Sequence, residues 1–123
     1  MDGDLRLLRH EPIRRSIACD PLVESAARAL ARDAGNLTVE RLARELGVNR
    51  RKLERRFAAE VGLSPKEVAG VYRFRRALAS LCAGGAAASV AVSCGYFDQS
   101  HMTRDFKRYS GRTPHALVEA VAS

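Results

Sequence analysis

Residues 42–65 read LARELGVNRRKLERRFAAEVGLSP, and residues 90–114 read VAVSCGYFDQSHMTRDFKRYSGRTP. Laid over one another, the two stretches carry the same pattern. Ala43 aligns with Ala91 and Gly47 with Gly95 at an offset of 48. From there the offset is 49 and holds: Asn49 with Asp98, Leu53 with Met102, Arg55 with Arg104, Phe57 with Phe106, Gly62 with Gly111 and Pro65 with Pro114. One extra residue in the second turn accounts for the step. An internal period of this size marks a duplicated supersecondary unit, and each copy has the helix, tight turn and longer helix of a helix-turn-helix.

The punctuation of each copy supports that reading. Thr38 is placed to cap a helix that runs to Leu46 and stops at Gly47, with Leu37 and Leu42 at staple spacing around its first turn. Asn49 caps the next helix, Val48 and Leu53 repeat the staple spacing, and Gly62 ends it. In the second copy a helix from Ala86–Ala88 runs to Cys94. Gly95 and Tyr96 then turn the chain, Asp98 caps, and Phe97 with Met102 take the staple positions. The helix after that turn ends at Gly111, and Thr113 and Pro114 open a short terminal helix.

Between the copies, Ser64, Pro65 and Glu67 form a capping box with proline at the first helical position. The helix they start should reach Cys82 before Gly84 and Gly85, about 27 Å at 1.5 Å per residue. Gly70 inside it implies close packing or bending. Ahead of the first copy, Asp20 and Pro21 open a supporting helix whose stripe is Leu22, Ala26, Ala29 and Leu30, ending near Gly35 and Asn36. Residues 1–19 show no clean period and read as an N-terminal extension or the remnant of a preceding domain. No segment alternates like a strand, so the expected class is all-α.

Composition bounds what such a chain does. Its 123 residues suit one compact domain, with 21 Lys and Arg against 14 Asp and Glu, a formal charge of +7 and a pI near 10.0. A basic surface of that kind attracts polyanions, nucleic acid first. Anionic lipid is disfavoured, because a membrane-surface helix wants Trp or Phe opposite its cations and Trp is absent. Residues 1–10 lack a signal-peptide core, and no run approaches a membrane span, so the expected location is the cytoplasm, associated with the nucleoid. Cys19, Cys82 and Cys94 are odd in number and far apart, which speaks for reduced, mostly buried thiols rather than disulfides or a zinc site. No Ser-His-Asp set, paired carboxylates or phosphate loop stands out, so no enzyme and no cofactor is expected.

The chemistry concentrates on the helices after the two turns, because the second helix of such a unit enters the major groove. In the first, Leu53 and Phe57 face inward, leaving Arg51, Glu54 and Arg55 outward as candidate base readers. Glu54 either accepts from a cytosine amino group or is held by Arg50 or another cation. In the second, Arg104 recurs in register with Arg55 beside Gln99, Ser100, His101 and Thr103. Gln and Ser can hydrogen-bond base edges, Arg can grip guanine, and a Thr methyl can touch thymine. Arg50, Lys52, Arg56 and Lys107 are assigned to phosphates, which position without specifying. His101 has no second ligand at metal-binding spacing. Charge runs are commonly only solvated faces, but the recurrence of arginine in register across two units argues for readout.

Residues from about 20 to 120 resemble the C-terminal DNA-binding domain of AraC/XylS-type bacterial transcription regulators. The resemblance is carried by Leu42-Ala43, Gly47, Leu53, Arg55, Phe57, Gly62, Ser64-Pro65 and Arg73, and by Val90-Ala91, Cys94-Gly95-Tyr96, Asp98-Gln99-Ser100-His101, Arg104, Phe106-Lys107, Gly111 and Thr113-Pro114. It departs from the family at Val68, often aromatic there, and in its terminal helix. It implies residues 20–123 as an AraC-type domain: helix-turn-helix 1 over about 38–62, a linker helix over about 64–83, helix-turn-helix 2 over about 87–111. It further implies double-stranded DNA as the partner, with two helices in successive major grooves about 34 Å apart and a monomer reading a two-part, non-palindromic site. A DNA-repair methyl acceptor that carries similar units is excluded, since its zinc-bound cysteine cluster cannot be assembled from these cysteines. The competing reading is a protein-interaction module that contacts RNA polymerase or another regulator and touches DNA nonspecifically. Residues 1–19 are too few for an effector pocket.

Overall fold

The computed structural model describes residues 20–33 and 36–122. The expectations for residues 1–19, with Cys19, and for a helix end at Gly35 lie outside these. Among the described residues there are seven helices and no strand: α1 (Pro21–Asp33), α2 (Val39–Glu45), α3 (Arg50–Val61), α4 (Pro65–Cys82), α5 (Ala87–Ser93), α6 (Gln99–Ser110) and α7 (Pro114–Ala122). The chain divides into two compact units at Gly70 and Val71, within α4.

In the first unit α1 and α2 both pack on α3. Asp20 starts α1 as the sequence suggests, its Oδ1 accepting from the backbone N–H groups of Leu22 at 3.0 Å and Val23 at 3.5 Å. The buried stripe of α1 is Val23, Ala26, Ala27, Ala29 and Leu30, with Leu22 only half-buried. Leu37, Leu42, Ala43, Leu53 and Phe57 are all buried in this unit. Thr38 caps α2 through a 3.1 Å hydrogen bond from the Arg41 N–H. The capping box is closed in both directions: the Ser64 N–H donates to Glu67 Oε1 at 3.0 Å, and the Glu67 N–H to Ser64 Oγ at 3.1 Å. Gly70 is buried, in keeping with close packing at that point of α4.

The second unit is built on Val71, Phe74 and Ala77 of α4, Val90 and Ala91 of α5, and Met102, Phe106 and Tyr109 of α6, with Leu117 of α7 against them. Phe74 meets Phe106 edge-on, centroids 4.6 Å apart at 73°, the geometry that the charge distribution of aromatic rings favours. Cys94 is buried, but Cys82 is exposed at the end of α4, contrary to the expectation of mostly buried thiols.

The two turns share one backbone design. Gly47 at φ +72° and Gly95 at φ +91° hold the left-handed conformation that a side chain would resist. The Gly47 N–H donates to the Arg44 carbonyl at 3.1 Å and the Val48 N–H to Ala43 at 3.0 Å; the Gly95 N–H donates to Val92 at 3.2 Å and the Tyr96 N–H to Ala91 at 2.9 Å. Tyr96 therefore stands where Val48 stands, and it is buried. This corrects the staple expected of Phe97 and Met102. Phe97 is 87 % exposed, because the turn closes one residue earlier and extrudes it. The residue added to the second turn is Phe97.

Candidate nucleic-acid interface

Each turn delivers its following helix through a side-chain cap. Asn49 Oδ1 accepts from the Lys52 N–H at 2.7 Å to start α3, and Asp98 Oδ1 accepts from the His101 N–H at 2.8 Å to start α6. Burial of Leu53 and Phe57 fixes the roll of α3, and burial of Met102, Phe106 and Tyr109 that of α6. Arg51 and Arg55 of α3 and Gln99, Ser100, Arg104 and Lys107 of α6 are left on the exposed faces.

On α3, Arg51 and Arg55 are exposed, and neither forms an ion pair or side-chain hydrogen bond with another described residue. Lys52 is half-buried. Glu54 belongs to Arg50: Arg50 Nε donates to Glu54 Oε2 at 3.1 Å, and its guanidinium also pairs with Glu40. The Glu54 hydrogen bond and the charges of Glu40 and Glu54 hold Arg50 above the ordinary guanidinium range. The contact with Arg50 is one of the two arrangements the sequence allows for Glu54.

Arg56, assigned to phosphate from the sequence, has another task. Its Nε and Nη2 donate to Asp20 Oδ2 and Oδ1 at 2.8 and 2.9 Å, a two-pronged grip on a carboxylate that also caps α1. That hydrogen bond holds the Asp20 carboxyl below its usual range against the opposing effect of burial. Arg56 fastens α1 to α3. The partner lies 36 residues away in sequence, so nothing local betrays it.

On α6, Gln99, Ser100, Arg104 and Lys107 are exposed. Thr103 donates its hydroxyl to the Gln99 carbonyl at 3.0 Å, which leaves its methyl as the outward chemistry. His101 is drawn back to the turn. Its Nδ1 accepts from the Phe97 N–H at 3.2 Å, and its ring stands edge-on to Tyr96 at 5.1 Å. That arrangement uses the unprotonated Nδ1 and leaves Nε2 as the hydrogen-bonding atom for anything outside.

With two capped helices in matched turns and arginines outward on each, the comparisons with known proteins are direct. Residues 42–120 match the family described as Helix-turn-helix domain. Of the relatives, two AraC-like transcription regulators, from Streptomyces lividans and Streptomyces antibioticus, are 40 % and 39 % identical over 97 residues. This chain belongs to the AraC-type helix-turn-helix family. The aligned part is 77 % of this chain and 32 % of each relative, so the chain spans about a third of their length. Among solved structures, an AraC-type transcriptional regulator from Chromobacterium violaceum superposes at TM-score 0.77 with 22 % identity, over 85 % of this chain and 96 % of that one. A DNA-binding transcriptional dual regulator from Escherichia coli K-12 gives 0.69 with 27 % identity, over 82 % and 92 %.

Within this AraC-type frame one supporting set escaped the sequence reading. Arg73 of α4 sits 3.9 Å from Asp105 of α6 and 5.4 Å from the centroid of Tyr96, tying the turn before α6 and the middle of α6 to α4. Burial pushes the Asp105 carboxyl up despite the charge of Arg73, and burial likewise raises the Tyr96 phenol. Arg73 was legible as a marker of the resemblance, and its need for an acidic partner was the available signal. Among the described residues no helix is long and apolar enough to cross a membrane. No group of three or more His, Cys, Asp and Glu there could hold a metal ion.

Proposed function

We propose that this chain binds double-stranded DNA sequence-specifically and regulates transcription. In this reading α3 and α6 enter successive major grooves, and one monomer reads a two-part, non-palindromic site. The observation that carries it is the pair of exposed arginines in register, Arg55 and Arg104, each on a helix delivered by the same turn. Arg51 and Arg55 read one half-site; Gln99, Ser100, Arg104 and the Thr103 methyl read the other, with His101 contributing through Nε2 and Glu54 setting the position of Arg50. Lys52 and Lys107 contact phosphates. Arg50 joins them when phosphate displaces its carboxylates, since exposed ion pairs contribute little and open readily. Its site of action is the cytoplasm, at the nucleoid, without a cofactor or an effector site of its own.

Selection of bound duplexes from a random pool of about 30 base pairs at roughly 0.15 M salt tests the reading, because nonspecific binding is weak there. Two unlike motifs about one helical turn apart are expected. On the selected duplex, Arg104→Ala should cost about 1–3 kcal/mol and relax one half-site only. Lys52→Ala should weaken all DNA alike and flatten the salt slope by about one unit. Equal losses on target and random DNA for Arg104→Ala refute base reading and favour a module that contacts RNA polymerase or another regulator.

A further inference from the structure

Phe97 is the residue that the second turn has and the first lacks. The chain around it is pinned: its N–H donates to His101 Nδ1 at 3.2 Å, Tyr96 before it is buried, and Asp98 after it caps α6. Its ring nevertheless stands 87 % exposed, the most exposed large hydrophobic side chain among the described residues. An isolated exposed apolar residue needs no explanation on a random surface. This one sits two residues ahead of Gln99, at the mouth of the helix proposed to read bases. The unit that carries it is net basic, with seven Lys and Arg against three Asp and Glu over residues 71–123, which favours a polyanion as partner.

We propose that Phe97 is a specificity-determining residue of the second unit, its ring packing on the 5-methyl group of a thymine at the edge of the major groove. The inference rests on the DNA-binding reading above. A phenyl ring has no donor or acceptor with which to read polar base edges, and the thymine methyl is the one apolar feature they present in that groove. The rigid turn means that little order must be bought on binding. The first unit has no counterpart: its turn passes from half-buried Val48 straight to the cap Asn49. Discrimination by this device therefore belongs to the half-site under α6.

The test uses the full chain and the duplex recovered by selection, with each thymine of the second half-site replaced in turn by deoxyuridine, which lacks only the methyl. Phe97→Ala should bind the thymine duplex about fourfold more weakly, the value of one buried methyl-sized contact. Wild type should lose a similar factor at one particular deoxyuridine, and there the Phe97→Ala variant should lose nothing more. Phe97→Leu should recover part of the loss. Melting temperatures of both variants should match wild type, since the ring supports nothing in the fold. Equal losses for Phe97→Ala on thymine and deoxyuridine duplexes at every position would overturn the proposal, as would no loss at all. Arg104→Ala run alongside separates the two levels. If it relaxes one half-site while Phe97→Ala does not couple to any methyl, only the present inference fails; if wild type selects no sequence, the DNA-reading function itself fails.

Discussion

Replacing Asp98 isolates what the second turn contributes to α6. Its carboxylate accepts from the His101 N–H at 2.8 Å, satisfying one of the donors that every helix leaves open at its start. It also places a negative charge at the positive end of the helix dipole. Loss of the cap to alanine costs about 1 kcal/mol, and loss of the charge adds roughly 0.3–1 kcal/mol at low salt. Asp98→Ala should thus lower the melting temperature by about 4–5 °C per kcal/mol for a domain of this size. Asp98→Asn keeps an oxygen acceptor and should lose only the charge component. Asn49 at the matching place of α3 caps with an amide oxygen already. Thermal melts followed by circular dichroism at 0.05 and 0.5 M salt separate the two: the difference between Ala and Asn persists with salt, while the loss in Asn fades as screening removes the dipole interaction. Equal shifts for Ala and Asn at both salts would refute the claim that the hydrogen bond, rather than the charge, starts α6.

Two further outcomes follow from the second unit. Asp105 has its folded pKa raised, by burial first and against the pull of Arg73. The native state then takes up a proton before the unfolded chain does as pH falls, so the ionised carboxylate is a burden that acid relieves. Asp105→Asn should raise the melting temperature at pH 7, with the gain shrinking as pH drops toward the ordinary carboxylate value of 3.8; a lower melting temperature at pH 7 would mean that the attraction to Arg73 wins. Gly85→Ala should destabilise by about 1–3 kcal/mol, because a Cβ there would lie 2.7 Å from Val90 Cγ2 and 3.0 Å from the Ser80 carbonyl oxygen; an unchanged melting curve would show that the α4–α5 connection relaxes freely.

What the sequence made legible is what is decided within four residues along the chain. Thr38, Asn49, Asp98 and the Ser64–Glu67 box each pair a short polar side chain with a backbone N–H three residues on, so the helix starts could be named before any coordinates. The glycine turns follow for the same reason. Interactions across the fold were not legible. Arg55 and Arg56 are neighbours of equal chemistry, yet one faces solvent and the other grips Asp20, and only the packing of α1 on α3 tells them apart. The register step located an extra residue in the second turn but not which one, since Tyr96 and Phe97 are both aromatic and both plausible core residues. The carbonyl of Ala91 decides it by fixing where the turn closes.

These tertiary pairings change the electrostatic balance between the units. From sequence, α3 has five cations between Arg50 and Arg56 and looks like a nonspecific clamp. In the fold, Arg56 grips Asp20 in a part-buried, two-pronged pair, while Arg50 pairs with Glu40 and Glu54 at the exposed surface, where phosphate can displace them. Arg51 and Arg55 face outward without a carboxylate partner among the described residues, with Lys52 beside them, against Arg104 and Lys107 outward on α6. A clamp that held DNA by charge alone would not lock Arg56 to a carboxylate of its own chain, because such a pair subtracts from counterion release. The arrangement trades phosphate attraction for a fixed orientation of the α3 face. That exchange is useful to a helix that must present two particular arginines to base edges, and wasted on one that merely needs to be positive.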